Sequence, residues 1–278
     1  MLTPGRDELP TRIHHIDQQL ATAPSLEPTE EVSRLFRELV GISISPLHAA
    51  EASRVLADPI LDAIRENLWR VCSRGEYALE RQWAIRALEA AQPWEELRRF
   101  PYYANYEKLT RLEFNSLRGA SEEPPRRVLF VGSGPLPLTS ILLAHRYGLH
   151  VSNLEIDEHA WRISRELSRR LGLEERMVYQ RADVLSCSDL AGYDCVFLAA
   201  LVGMSRREKV RLLRHLAEHM RPGALLLVRS SQRLRGLLYP EVDVSHLGSF
   251  IPRMELHPHD EVVNSVIIAE RPASAPVA

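Results

Sequence analysis

The 278-residue sequence predicts an α/β protein in which an all-helical N-terminal domain precedes an open, mostly parallel sheet covered by helices. In residues 10–118, apolar side chains recur three and four positions apart, which is typical of helices that bury one stripe. From residue 128 onward, short apolar runs alternate with helical patterns, and this alternation favours a parallel sheet with helices on both faces. Two final strand-like runs follow each other with no helix between them, which predicts a terminal hairpin.

The N-terminal domain also carries residues that are typical of helix starts. Thr29 and Asp58 can accept hydrogen bonds from the free amides of a first turn, and Pro59 suits a first helical position. We see no strand pattern in this region. The clearest helical patterns are VSRLFRELV, LDAIRENLWRVC and YALERQWAIRALEAA.

The segment GASEEPPRR at residues 119–127 is polar and contains two prolines, which is typical of a linker. We therefore predict a helical domain over residues 1–118 and a Rossmann-like domain over residues 128–278. A parallel sheet that ends in an antiparallel hairpin is the arrangement of class I S-adenosylmethionine-dependent enzymes. The predicted strands are VLFV, HVSNLEI, MVYQ, DCVFLAAL, ALLLVRS, SFIPRMELHP and VVNSVIIAER.

Composition narrows the class of function. A formal net charge of -2 with 26% charged residues lacks the basic excess that marks nucleic-acid or anionic-membrane binding, so a small-molecule substrate is favoured. The absence of a signal-peptide core and of a long apolar run predicts a cytoplasmic protein. The three cysteines, Cys72, Cys187 and Cys195, have no disulfide or metal spacing. His257 and His259 in HPHD are the best metal candidates, but no third ligand is recognisable, so no metal site is predicted.

The predicted ligand site lies beyond the carboxyl ends of the strands, near the point where the strand order reverses. Glu155 follows the glycine turn by about twenty residues, the separation at which a carboxylate can bind a ribose 2′-hydroxyl. Asp183 could likewise serve the adenine edge. The predicted nucleoside-binding residues are Gly132, Ser133, Gly134, Pro135, Glu155, Asp157, Asp183, Ala199 and Leu201.

The glycine turn VGSGPLPLTS has Pro137 where a dinucleotide site has its third glycine. A pyrophosphate needs backbone amides and a close helix N-terminus, whereas S-adenosylmethionine carries no phosphate and can be bordered by rigid prolines. The turn therefore favours S-adenosylmethionine as the co-substrate. The alternative is that Pro135 and Pro137 only stiffen the turn.

Several blocks in order resemble the nicotianamine synthase family: FPYYANYEKLTRLEF, FVGSGPLPLTS, FLAALVGMSRREK, HLAEHMRPGALLLVRSS, LLYPEVD and HPHDEVVNSVIIAER. The similarity runs from about residue 60 to residue 271. In size, the chain resembles the enzymes of the bacterial branch that makes opine-type metallophores. In that branch, one aminobutyrate unit is transferred to histidine.

The resemblance implies that an amine attacks the γ-carbon of the methionine tail of S-adenosylmethionine and expels 5′-methylthioadenosine. The attacking amine must be unprotonated, and the family pattern implies that Glu80 removes its proton while Tyr106 relays or orients. Outside the family, Glu80 could be a surface glutamate paired with Arg81 or Arg74. Tyr103 and Tyr106 could also be core aromatics between the domains.

Arg229, at the end of the fifth predicted strand, could hold an α-carboxylate through two hydrogen bonds. Tyr239 and Arg235 are weaker candidates for that role, and Tyr103 is a further candidate for substrate binding. The resemblance further implies that a functional partner, an opine dehydrogenase, adds a keto acid, that the product chelates nickel, zinc or cobalt, and that the enzyme itself needs no metal. The helical domain could supply a homodimer face. The alternatives are an N-methyltransferase, an S-adenosylmethionine-binding sensor and, more remotely, a nicotinamide-dependent oxidoreductase.

Overall fold

The computed structural model describes residues 8–273 and confirms the predicted fold class. Helices precede an open sheet whose strand order is β3-β2-β1-β4-β5-β7-β6 within these residues. The first five strands run parallel, and the last two form the predicted antiparallel hairpin at one edge. The strands are β1 Arg127–Val131, β2 His150–Glu155, β3 Met177–Arg181, β4 Cys195–Leu198, β5 Leu225–Ser230, β6 Ile251–Leu256 and β7 Ser265–Glu270.

The N-terminal part is helical, and the helix starts are those that the sequence predicts. Thr29 accepts a hydrogen bond from the amide of Val32, and Asp58 accepts one from the amide of Ile60. These contacts satisfy amides that have no partner in a first helical turn. The helices of this part are α1 Leu9–Thr22, α2 Glu30–Ser43, α3 Ala49–Leu56, α4 Pro59–Glu89, α5 Pro93–Arg98 and α6 Tyr103–Ala120.

Three further helices cover the sheet: α7 Leu138–Tyr147, α8 Glu158–Arg170 and α9 Arg206–His219. The strand order reverses between β1 and β4, so a crevice opens beyond their carboxyl ends. The 31-residue helix α4 packs against α8 and places its middle turns over this crevice.

The helical part and the sheet are joined by packing as well as by the chain. Side chains of α4 and α6 share a hydrophobic core with α7, β1 and β4. Polar contacts add to this: Trp69 Nε1 donates to Gly236 O at 2.9 Å, and Tyr77 Oη donates to Asp157 Oδ1 at 2.9 Å. The division into two domains stays a prediction. In the part of the chain that the structure describes, no helix is both long and apolar enough to cross a membrane.

Candidate active site

A cavity of about 320 Å³ lies in the crevice beyond the carboxyl ends of β1 and β4, and we call it the sheet-edge chamber. Its walls come from the turns after β1, β2 and β4 and from one face of α4. Most of the predicted site residues line it, although they lie as far apart in sequence as residues 80 and 239. The lining includes Glu80, Tyr106, Gly132, Ser133, Gly134, Pro135, Glu155, Ala199, Leu201, Arg229 and Tyr239.

Two features of the turn after β1 require glycine: a positive φ angle and the close approach of a side chain from α4. Gly132 has φ +78° and Gly134 has φ +68°, values that side chains with a Cβ rarely adopt. A Cβ added to Gly134 would lie 2.9 Å from Glu80 Oε2. The glycine therefore allows the carboxylate of α4 to rest directly on the turn.

We expect the Gly134→Ala variant to lose about 1–3 kcal/mol of unfolding free energy and, by displacing Glu80, to lower kcat/KM by up to about 100-fold. Gly172→Ala is the matched control, because Gly172 has φ +71° and nothing within 4 Å of an added Cβ. It should lose stability without losing activity. Urea unfolding and steady-state rates of both variants test this, and equal activity losses would contradict the role of the close approach.

Glu155 is held rigidly at the end of β2. Its Oε2 accepts from the amide of Gly134 at 2.8 Å, and its Oε1 accepts from the amide of Asp157 at 2.9 Å. Because a carboxylate oxygen has more than one lone pair, both oxygens can still accept from a hydroxyl.

Pro137 is the N-cap of α7, where its missing N–H costs no helical hydrogen bond.

Three predicted residues lie outside the lining of the sheet-edge chamber. Asp157 is the N-cap of α8 and accepts from the amide of Ala160 at 2.7 Å. Asp183 caps a short helical turn after β3 and accepts from the amide of Leu185 at 2.9 Å. Tyr103 is buried in the hydrophobic core that α6 shares with α7 and lies outside the lining of the chamber.

The loop after β4 borders the chamber and is held by a buried lysine that the sequence did not single out. Lys209 Nζ donates to Val202 O at 2.5 Å and to Ala200 O at 3.4 Å. Burial lowers the pKa of Lys209 to about 8. The lysine therefore positions the loop residues Ala199 and Leu201 rather than the reacting groups.

A second cavity, of about 170 Å³, lies between α2, α4 and α6, and we call it the helix chamber. Its walls are largely apolar, with Val32, Phe36, Leu79 and Leu109 among them. It meets the sheet-edge chamber at a set of polar groups that line both cavities. These shared residues are Glu76, Glu80, Tyr106, Tyr239 and Asn264.

Two of the shared groups are carboxylates, those of Glu76 and Glu80, and tyrosine hydroxyls contact both; we call these two carboxylates the carboxylate pair. Tyr106 Oη donates to Glu80 Oε1 at 2.9 Å and lies 3.5 Å from Glu76 Oε1. Tyr239 Oη donates to Glu76 Oε2 at 3.2 Å. Glu76 was missed from the sequence, although its spacing of four residues from Glu80 puts both on one face of α4.

Burial sets the protonation behaviour of this pair. It raises the pKa of Glu80 well above its usual range, and the charge of Glu76 raises it further. It also raises the pKa of Glu76. The pKa of Tyr106 is raised well above its usual range by burial and then by Glu80, so the phenol keeps its proton and acts as a donor. A carboxylate made more basic in this way is suited to accept a proton from an amine.

We expect Glu76→Gln to move the acid limb of the pH profile of kcat/KM to lower pH. Removing the negative charge beside Glu80 favours its ionised form and so lowers its pKa, and the active, deprotonated base persists to lower pH. Rates measured between acidic and neutral pH test this. Glu76→Asp keeps the charge and is the control. An acid limb that stays in place or moves upward in Glu76→Gln would contradict the coupling.

Arg229 is largely occupied by another side chain. Its Nε and Nη2 donate to the buried carboxylate of Glu113 at 2.7 and 3.1 Å, and Nη2 also donates to Thr139 Oγ1 at 2.6 Å. Nη1 makes no hydrogen bond within residues 8–273, so one nitrogen is left for a carboxylate in the chamber. Arg235 donates to the carbonyls of Val262 and Asp260 and lies outside the chamber lining.

Asn264 is a second residue that sequence reasoning missed. It is buried and lines both chambers, and its Nδ2 has no hydrogen-bond partner within the described residues. A buried donor without a partner is costly, so a ligand acceptor at this point would satisfy it. No signal in the sequence around this single asparagine marks it.

Comparison with known proteins decides the family. A model of the family described as "Nicotianamine synthase protein" matches residues 5–275. Nicotianamine synthase 1 of Arabidopsis thaliana is 41% identical over 260 residues, which cover 91% of this chain and 81% of the relative. Nicotianamine synthase 9 of Hordeum vulgare is 42% identical over 275 residues, which cover 95% and 79%. The chain belongs to the nicotianamine synthase family.

Solved structures agree with the fold of this nicotianamine synthase family member. A crystal structure of a mutant of MtNAS in complex with S-adenosylmethionine is 25% identical, with a TM-score of 0.82, and the match covers 95% of this chain and 98% of that one. A complex of MtNAS with MTA and tNA is 24% identical with a TM-score of 0.85, covering 97% and 99%, and it supports the fold alone. Family membership confirms the sequence predictions of an aminobutyrate-transferring enzyme with S-adenosylmethionine as its co-substrate.

The residues of this nicotianamine synthase family member suit that co-substrate. Ser133 Oγ is buried beside the glycine turn and has no hydrogen-bond partner within residues 8–273. Glu155 presents a fixed carboxylate, and the free Nη1 of Arg229 and the Nδ2 of Asn264 supply donors. Unused acceptors and donors around one cavity fit a ligand with hydroxyl, amino and carboxylate groups.

Proposed function

We propose that this enzyme transfers the 3-amino-3-carboxypropyl group of S-adenosylmethionine to the α-amino group of an amino acid, with histidine as the acceptor. The observation that carries the proposal is the meeting of two chambers at the Glu80–Tyr106 hydrogen bond. The sheet-edge chamber suits the co-substrate, and the helix chamber suits the acceptor. Glu80 then stands between the two, where an amine must lose its proton.

The proton and electron balance follows from this placement. Glu80 takes one proton from the acceptor ammonium, and Tyr106, which donates to the same carboxylate, keeps it oriented. The free amine attacks the γ-carbon, the carbon–sulfur bond breaks, and its electron pair neutralises the sulfonium as 5′-methylthioadenosine leaves. The product is a secondary ammonium that keeps the two remaining protons, so one proton is released overall, the one that Glu80 takes. Holding both reactants in line supplies much of the rate.

Histidine as the acceptor and membership of the opine-metallophore branch are the finer part of this proposal. On this proposal a partner opine dehydrogenase adds a keto acid to the product, which then chelates divalent metal ions. A homodimer through the helical part belongs to the same proposal.

A second candidate acceptor is an aminobutyrate unit that the enzyme itself has made. The observation that favours it is that the curated relatives at 41% and 42% identity are plant nicotianamine synthases. Repeated transfer would need no amino acid besides S-adenosylmethionine. The largely apolar helix chamber must then accept an aliphatic chain in place of an imidazole.

Mass spectrometry of the purified protein separates these candidates. The protein is incubated with S-adenosylmethionine alone, and with each amino acid in turn, including both enantiomers of histidine. A histidine adduct larger by one aminobutyrate unit supports the first candidate, and oligomers formed without an amino acid support the second. Isotope label on the methyl group should leave in methylthioadenosine. Its appearance on the acceptor would indicate an N-methyltransferase, and binding without turnover would indicate a sensor.

A further inference from the structure

A cluster of three potential metal ligands lies at the C-terminal end of α9, outside the lining of both chambers. We call His215, Glu218 and His219 the α9 cluster. Their spacing of three and four residues puts them on one side of the helix. The neighbouring Leu212, Leu213 and Leu216 are in the core, while His215 and His219 are half-buried and Glu218 is exposed, so the cluster stands at the border between packed and exposed surface.

The geometry within the α9 cluster is compact. One ligand atom from each of the three residues lies within 4.8 Å of the other two. The imidazole rings of His215 and His219 have their centroids 4.2 Å apart, with 33° between their planes. Glu218 is exposed and makes no ion pair with another residue of the described part of the chain. Two imidazoles four residues apart on a helix are a recurring zinc-binding pair, and a carboxylate is an ordinary third ligand.

One nitrogen of each imidazole contacts a backbone carbonyl oxygen. Nε2 of His215 lies 2.8 Å from Cys187 O, and Nδ1 of His219 lies 2.8 Å from His215 O. A carbonyl oxygen only accepts, so these two nitrogens carry the ring protons. Each ring therefore keeps a lone pair on its other nitrogen, in an orientation fixed by the carbonyl. Such a backbone contact is the usual second partner of a metal-binding histidine.

We infer that the α9 cluster is a binding site for one divalent transition-metal ion of the zinc or nickel class, separate from the reaction site. Imidazole and carboxylate suit these ions, and the exposed side of the cluster leaves positions for water. Because His215 also contacts Cys187 O, a bound ion would fix α9 against the turn that begins at Asp183.

Zinc titration of the untagged protein tests this inference, since an affinity tag would itself bind metal. Isothermal calorimetry in a buffer without chelating groups measures the affinity and the stoichiometry for Zn²⁺, with Ni²⁺ as a second probe. The cluster variants are His219→Gln and Glu218→Gln. The matched control is the double variant His257→Gln and His259→Gln. His257 contacts Ser265 Oγ at 3.0 Å and lies 3.4 Å from Glu255, with no three-ligand group around it in the described chain.

We expect one Zn²⁺ per wild-type chain and an unchanged affinity in the control. In each cluster variant the affinity should be at least about tenfold lower, because even the loss of a residue that only hydrogen-bonds to a metal ligand lowers metal affinity by about that factor. Far-UV circular dichroism confirms that each variant is folded, and Glu218→Gln, an exposed change, carries the test if His219→Gln does not fold. No saturable one-to-one binding, unchanged affinity in the cluster variants, or loss of binding in the control would each overturn the inference. The readout is metal binding, so it does not depend on the acceptor proposed above.

Discussion

Replacing Glu80 with glutamine is expected to lower kcat by about 10²–10⁴-fold, the usual contribution of a positioned general base, while the affinity for S-adenosylmethionine stays nearly unchanged. Glutamine keeps the size of the side chain and can still accept from Tyr106 Oη, which donates to Glu80 at 2.9 Å. It cannot take a proton from an ammonium group. The substitution therefore removes one chemical step and leaves the chamber in place.

The measurement is single-turnover formation of methylthioadenosine, together with calorimetric binding of S-adenosylmethionine. Glu66→Gln is the control, because Glu66 lies on the same helix with its side chain 78% exposed and should keep full activity. A Glu80→Gln variant with an undiminished rate would rule out Glu80 as the base. A variant that fails to bind S-adenosylmethionine would instead assign Glu80 to co-substrate binding.

The second large effect is expected at Glu113, whose carboxylate is fully buried and pairs with Arg229 at 2.7 Å. Glu113→Gln should lower the unfolding free energy by about 3–5 kcal/mol, because it leaves a buried guanidinium without its counter-charge. It should also weaken substrate binding, since Arg229 lines the sheet-edge chamber and would be free to move.

Urea unfolding of single and double variants tests this pair. The double variant Glu113→Met/Arg229→Met lacks both charges, so much of the lost unfolding free energy should return. Its activity should stay low, because the sheet-edge chamber has lost its cation. A single variant as stable as the wild type would contradict the pairing. A double variant with full activity would contradict a role for Arg229 in binding.

Local features of the chain were predictable because they depend on neighbours in sequence. The alternation of apolar runs and helical patterns predicted the parallel sheet and its terminal hairpin, which the structure confirms. Thr29 and Asp58 cap helices as expected. The glycine turn was visible because two residues with positive φ are needed where β1 meets the crevice.

The carboxylate pair could be only partly predicted. Glu80 followed from a resemblance, and Glu76 was missed, because exposed helices also carry glutamates four residues apart. Periodicity shows which residues share a face but does not show that α6 places Tyr106 against that face. Asp157 and Asp183 each cap the helical turn that follows their strand, a contact that the sequence prediction did not include, and their roles in nucleoside binding stay predictions.

The sequence by itself determined the fold class, the order of the elements, the glycine turn and, through the blocks that resemble it, the family. Only the tertiary structure decided that Arg229 is neutralised by Glu113, 116 residues away, and that Asn264 offers an unused donor to both chambers. The physical reason is that hydrogen bonds and ion pairs of this kind depend on how helices pack on the sheet. That packing is set by the whole core, whereas caps and turns are set within a few residues.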